Sequence, residues 1–253
     1  MKLTYLIFCL LLSTQSYAFT ILLDPGHGGK DTGAMSRVKL KLHNKKEKKH
    51  LLLEKDLSLI IAKRLFNILK NKGYQVFLTR SVDRTVSLEQ RAELVNKVKA
   101  DIFISIHLNS STIKNPRGFE TYYLSHHKDK AIQKVEELEN KNLKGEAKIT
   151  NQILVDLIVE RVSPRSKKLA TLIHNNVFNR LKKKYPIKNR GIKPGLFYVL
   201  ALTKIPAVLL EIGFLSNPKE AKKMLSSKFQ RSYVKAIAEG VDKYFSSKKQ
   251  NFF

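Results

Sequence analysis

The chain has 253 residues, 43% of them hydrophobic and 27% charged, with 11 Gly, 7 Pro and one Cys. That length can bury a full core, and the composition excludes a disordered or fibrous chain. Lys and Arg number 48 against 21 Asp and Glu, a net charge of +27. Such a surface favours polyanionic surroundings (nucleic acid, anionic lipid or an acidic wall polymer) without choosing among them.

The first element is an export signal. Met1–Ala18 carries Lys2, a mostly apolar run Leu3–Leu12 too short to span a bilayer, and a small-x-small site Ser16-Tyr17-Ala18. Cleavage would start the mature chain near Phe19 and remove Cys9, the only cysteine. The exported protein then has no thiol for a disulfide, a Cys–zinc site or a nucleophile. Export argues against nucleic acid as a partner and leaves no stable membrane anchor. It points to the periplasm, with secretion as the alternative.

Strands and helices then alternate. Thr20–Leu23 is a short strand running into the turn Asp24-Pro25-Gly26. Val38–Lys49 reads as a lysine-rich loop. Glu54–Lys72 has helical period through Leu57, Ile60, Ile61, Leu65, Ile68 and Leu69, and stops at Gly73. Gln75–Thr79 is a strand. Ser87–Lys99 is a helix with Ser87 as N-cap and Gln90 completing a capping box. Ile102–His107 and Phe119–Leu124 are strands. Ser125–Val162 is read as a helical insertion, charged in its first half and amphipathic over Ile149–Val159. Ser163-Pro164 opens a helix through Lys184. Strands Phe197–Leu200 and Ala207–Ile212 follow, then a helix from Asn217-Pro218 and a last one over Phe229–Phe245. This alternation predicts a single α/β domain over residues 19–246, with a mostly parallel sheet flanked by helices on both faces and a tail at 247–253.

Chemistry gathers where strands end. His27 follows the first strand in Asp24-Pro25-Gly26-His27-Gly28-Gly29, and His107 ends the apolar strand that starts at Ile102. In that strand Phe103, Ser105 and His107 share one face, and Ile102, Ile104 and Ile106 the other. Glu211 closes the wholly apolar Ala207–Leu210, where a carboxylate is costly unless paired, protonated or on a metal. Open α/β sheets place their sites beyond the carboxyl ends of strands. Glu54, opening the first long helix, could turn toward the same cleft, or serve only as a favourable charge at a helix N-terminus. Taken singly, each residue also has an ordinary structural reading: a surface histidine, a turn or a buried ion-pair partner.

Four ordered motifs carry a resemblance. Asp-Pro-Gly-His-Gly-Gly, Glu-Lys-Asp-Leu, Ser-Ile-His-Leu-Asn-Ser and Leu-Leu-Glu-Ile-Gly-Phe-Leu-Ser-Asn occur in this order between Thr20 and Phe245. Together they resemble the zinc-dependent N-acetylmuramoyl-L-alanine amidases of the amidase-3 family, which cleave peptidoglycan. The resemblance implies one zinc ion held by His27, Glu54 and His107, with Glu211 as the catalytic glutamate. Asp24, Arg80, Asn109 and Arg190 match further family positions, lining substrate or supporting the ligands. The 27-residue gap from His27 to Glu54 is longer than the family usually shows. The insertion is similar in placement to the inhibitory helix of periplasmic division amidases. By that likeness Glu139 would block the zinc until an activator protein binds residues 125–162. A zinc peptidase, a non-catalytic wall-binding module and a secreted nuclease are the competing readings.

Overall fold

In the computed structural model of the chain, residues 19–40, 48–141 and 152–249 are described; the expected export signal and Cys9 lie outside them. The elements in chain order are β1 (Thr20–Pro25), β2 (Met35–Leu40), β3 (Lys48–Leu53), α1 (Glu54–Asn71), β4 (Gln75–Leu78), α2 (Leu88–Lys97), β5 (Ile102–Asn109) and β6 (Phe119–Leu124). They continue with α3 (Lys130–Glu139), α4 (Gln152–Leu181), β7 (Asn189–Gly195), α5 (Tyr198–Ala201), β8 (Ala207–Phe214), α6 (Pro218–Leu225) and α7 (Ser227–Lys249).

Apolar runs of five to eight residues make the centre of one sheet because they can be covered on both faces. Its strand order is β4-β1-β5-β8-β6-β7, parallel throughout except for the antiparallel β6–β8 pair. Period-two alternation divides the side chains cleanly. Ile21, Leu23, Ile104, Ile106, Val208 and Leu210 pack under α1, α7 and the C-terminal half of α4. Leu22, Phe103, Tyr122 and Leu209 face the other way, toward α2, α3, α5 and the start of α4. Each such fully buried side chain contributes about 1.5–3 kcal/mol of transfer free energy. The Ser87/Gln90 capping box forms as expected at the start of α2, and Pro218 takes the first turn of α6 behind its Asn217 cap.

Four local readings are corrected. The flanks of the lysine-rich segment are strands: β2 and β3 pair antiparallel, with Lys39 opposite Lys49. Val38 turns inward at 1% exposure while its lysine neighbours face water. Lys39 and Lys49 lie on the wet face of this pair, and residues 41–47 lie outside the described residues. Pro164 does not open a helix; it sits inside α4, which has already run twelve residues from Gln152. The helix expected over Ile149–Val159 is thereby the first part of α4. The strand expected at Phe197–Leu200 is the short helix α5, and the strand is instead β7. That segment, Asn-Arg-Gly-Ile-Lys-Pro-Gly, has no apolar run, and Pro194 is tolerated because β7 is a sheet edge. Helix α7 runs on to Lys249, three residues into the expected tail.

The 125–162 insertion leaves the C-terminal end of β6 and carries α3 and the first part of α4. Ile132 of α3 and Val159 of α4 anchor these two arms in the core. Residues 142–151 lie outside the described residues.

Candidate metal centre and catalytic cleft

Three strand ends and one helix start meet at one edge of the sheet. Beyond β1 the chain turns sharply: His27 adopts a left-handed φ of 60°, uncommon for a non-glycine residue and a mark of a site held by its surroundings. Gly26 sits so close to the His107 ring that a Cβ there would overlap it, and Gly33, at φ 63°, would push into His27 and Glu54. Two buried guanidinium groups staple this turn through its carbonyls. Arg80 donates to the oxygens of Pro25 (3.0 Å), Gly26 (2.8 Å) and Lys55 (2.8 Å). Arg91 donates to those of Pro25 (3.0 Å) and His27 (2.9 Å).

The turn brings His27 Nε2 within 3.1 Å of Glu54 Oε1. Glu54 is the first residue of α1 and is itself fixed, accepting from the backbone N–H of Ala34 (2.7 Å) and Leu108 (2.9 Å). His107 Nδ1 lies 3.2 Å from the same Glu54 oxygen. Glu139, the last residue of α3, closes the cluster: its Oε2 is 2.9 Å from His107 Nδ1 and 3.4 Å from His27 Nε2. One donor atom from each of these four residues lies within 4.8 Å of every other. His27 Nδ1 donates to Asp31 Oδ2 at 2.8 Å, which points Nε2 into the cluster.

The cluster fits a cation better than it fits itself. His27 Nε2 is buried among carboxylates and has no aligned hydrogen-bond partner. Burial opposes charge on both rings, yet the carboxylates outweigh it. Glu54 and Asp31 raise His27 to about 9, and Glu139 and Glu54 raise His107 to about 10. Burial would likewise push Glu54 up, and the two imidazoles instead hold it below the usual carboxylate range. In the ion-free protein, protons on the rings do the neutralising that a divalent cation would do.

Glu211 lies beside this cluster. It pairs in register with His107 of β5 and with Glu120 of β6. Both its carboxylate oxygens are buried without a hydrogen-bond partner, and burial, reinforced by Glu139, Glu54 and Glu120, pushes its pKa well above the ordinary value. A carboxylate left like this is expensive and needs a cation or a substrate to explain it.

The remaining expected residues fall into supporting places. Asp24 touches neither histidine; it accepts from Thr79 (2.6 Å), Ser105 (2.7 Å) and Arg91. Arg80 is 1% exposed and grips backbone, which leaves it no surface to line a substrate. Asn109 and Arg190 both donate to Glu120, which also accepts from Tyr122 and Lys193. The other described histidines stay out of the cluster. His174 bridges Thr121 and Asn189, His127 meets Glu136 at 2.6 Å, and His126 meets Asp156 at 2.9 Å. His50 lies in β3, and His43 is outside the described residues.

Three residues that hold the site's elements in place had no signal strong enough to read in advance. Asp31, which orients His27, looks like any loop aspartate. Glu136 and Asn140 hold the end of α3 to the chain before α5. Glu136 accepts from the backbone N–H of Leu196. The Asn140 amide donates to the Leu196 carbonyl and accepts from the Tyr198 N–H, both at 3.0 Å. A cleft of about 770 Å³ opens on this centre between Lys30, Thr85, Leu88 and Asn140.

Two imidazoles, carboxylates and an unpaired glutamate at the carboxyl edge of an α/β sheet are the equipment of a metal-assisted hydrolase. Comparison with known proteins gives the family. The model of the N-acetylmuramoyl-L-alanine amidase family matches residues 21–243, and the chain belongs to that family. It is 31% identical over 234 residues to N-acetylmuramoyl-L-alanine amidase AmiA of Escherichia coli K12, covering 89% of this chain and 75% of that protein. The crystal structure of an N-acetylmuramoyl-L-alanine amidase from Clostridium difficile 630 superposes with a TM-score of 0.66 at 33% identity, over 92% of this chain and all of that one. The CwlD amidase of Clostridioides difficile, solved with the GerS lipoprotein, superposes at 0.64 with 28% identity, over 90% and 99% of the two chains.

Proposed function

We propose that this amidase is zinc-dependent, acts on peptidoglycan in the periplasm during wall remodelling or daughter-cell separation, and is held inactive at rest by Glu139. The carrying observation is the arrangement of His27 Nε2, Glu54 Oε1, His107 Nδ1 and Glu139 Oε2 around one point. His27, Glu54 and His107 would hold the ion, a donor set of two nitrogens and one oxygen that suits zinc. Bound there, zinc would supply a Lewis acid that brings the pKa of water at its open position to roughly 7 and polarises the scissile carbonyl.

The chain's own groups do the rest. Asp31 fixes the His27 tautomer. Glu211 takes the proton of the attacking water and returns it to the amide nitrogen as the bond between the lactyl carbonyl carbon and the L-alanine nitrogen breaks. Its raised pKa suits it to give that proton back. Glu120, held ionised by Arg190, Tyr122 and Lys193 despite its burial, keeps the neighbouring Glu211 from losing its proton too readily.

Glu139 stands where the substrate carbonyl and water must come, so cleavage requires α3 to move. The Glu136 and Asn140 contacts resist that motion, which makes them the natural target of an activator protein that docks on residues 125–162. That the CwlD amidase was solved in complex with a lipoprotein supports a protein partner for this chain. Export through a signal at residues 1–18 accords with the wall substrate, and no helix among the described residues is long and apolar enough to cross a membrane.

The test is mass spectrometry of products from purified peptidoglycan, using zinc-loaded wild type and Glu139→Ala. Chelator-sensitive release of whole stem peptides beginning with L-alanine is expected, at least about tenfold faster in Glu139→Ala. Shortened stems would identify a peptidase instead, and equal rates in the two proteins would remove the inhibitory role of Glu139.

A further inference from the structure

Away from the metal centre, the ends of two helices build a second concave surface. Arg180, Lys184 and Tyr185 at the end of α4 face Lys228, Arg231, Ser232 and Lys235 at the start of α7 across a cleft of about 400 Å³. Lys228, Arg231 and Lys235 lie along one ridge of α7, and Lys184 and Tyr185 sit in the turn that follows the last residue of α4. Lys184, Lys228, Arg231 and Lys235 are all exposed, and among the described residues none of these four meets a carboxylate. Arg180 alone is paired, with Glu239 at 2.9 Å. Lys182, Lys183 and Lys188 extend the same charge along the chain.

The topology aims this cleft. Helix α4 passes the far edge of the sheet, where its Ser166 hydroxyl accepts from the Ala207 N–H at the start of β8. It then climbs to finish at the edge where β7 begins. Helix α7 starts at that edge too, following β8 and α6. The cationic cleft and the metal centre therefore share one end of the sheet, on opposite faces.

We infer that this cleft binds the carboxylates of peptidoglycan stem peptides remote from the scissile bond, anchoring the enzyme on its polymeric substrate. The inference rests on the amidase reading and adds a binding site to it. Unpaired cations in a concavity raise the local concentration of anions and speed their capture. A cleft rather than a plane, with one half-buried tyrosine and no exposed apolar wedge among its lining residues, suits discrete anionic groups on a chain better than a flat lipid surface. Soluble fragments, with no neighbouring stems to offer, gain nothing from it.

The test compares zinc-loaded Glu139→Ala protein with and without Lys184→Gln, Lys228→Gln, Arg231→Gln and Lys235→Gln. Thermal unfolding checks that the four exposed changes leave the fold intact. In a Glu211→Gln background, which prevents digestion, co-sedimentation with purified sacculi should weaken by about tenfold at low salt and converge with the parent at high salt. Turnover of soluble muropeptides should stay within about twofold, while KM on sacculi rises by about tenfold. Unchanged sacculus binding, equal losses on soluble and polymeric substrates, or lost binding to anionic phospholipid vesicles alone would each overturn the inference. Failure to cleave soluble muropeptides in every variant would instead strike the amidase reading, which the binding arm does not use.

Discussion

Asp24 and Glu211 are two carboxylates buried to 1% exposure at the same end and on the same face of one sheet. Their circumstances are opposite. Asp24, next to last in β1, receives two hydroxyls and a guanidinium, and despite burial its pKa falls below the ordinary value, Arg91 being the main cause. Glu211, in β8, receives no hydrogen bond, and burial among other carboxylates drives its pKa up. Burial alone therefore does not mark a functional carboxylate. The satisfied one holds strands and turn together, and the unsatisfied one stores a cost that an ion or a reacting substrate relieves.

Substitution separates the two most sharply in stability. Asp24→Asn should lower stability by about 3–5 kcal/mol, because it leaves Arg91 buried without its charge partner. Glu211→Gln should leave the melting temperature unchanged or raise it. Comparable losses in calorimetry would end the distinction.

Protons on the histidines come next. With folded-state values near 9 and 10, both above the ordinary 6.5, the stabilisation from charged His27 and His107 is complete below about pH 6.5. It disappears as pH rises through 9 and 10. Metal-free protein should thus lose melting temperature across that window. Zinc held by the proposed ligands would have to displace the same protons, so its affinity should climb by about tenfold per pH unit for each proton released, as titration calorimetry at pH 6, 7 and 8 would record. A pH-independent affinity would mean that the histidines are not the ligands.

Smaller effects test the supports. Asp31→Asn should weaken zinc binding by about 10–100-fold by loosening the His27 ring, without loss of fold. Asn140→Ala removes two hydrogen bonds that hold α3 down, each about 1 kcal/mol. It should raise activity by about fivefold, less than Glu139→Ala does. No gain in activity would locate the restraint on α3 elsewhere.

Much of this site could be read from the chain because strand ends and helix starts carry their chemistry in short motifs. His27, His107 and Glu211 stand at the ends of apolar strands and Glu54 at the start of a helix, but singly each kept an ordinary structural reading, and only the resemblance joined them into one set. What stayed hidden depends on distant contacts. Asp31 gains its role from the left-handed turn at His27, and Asn140 from a loop 56 residues away. Strand β7 escaped because an edge strand needs no apolar run, and the β2–β3 pair because its outward lysines mask the inward Val38. Pro164 misled because tertiary packing carried α4 through a residue that ordinarily starts or breaks a helix.

The central claim is that the unpaired carboxylate works on the substrate while the paired residues around it only build the site. Zinc content and peptidoglycan turnover of Glu211→Gln, measured side by side in the Glu139→Ala background, test it most directly. The account predicts one zinc per chain, an unchanged melting temperature and turnover lower by about 10²–10⁴-fold. Near-normal turnover with zinc bound, or loss of zinc together with the fold, would contradict it.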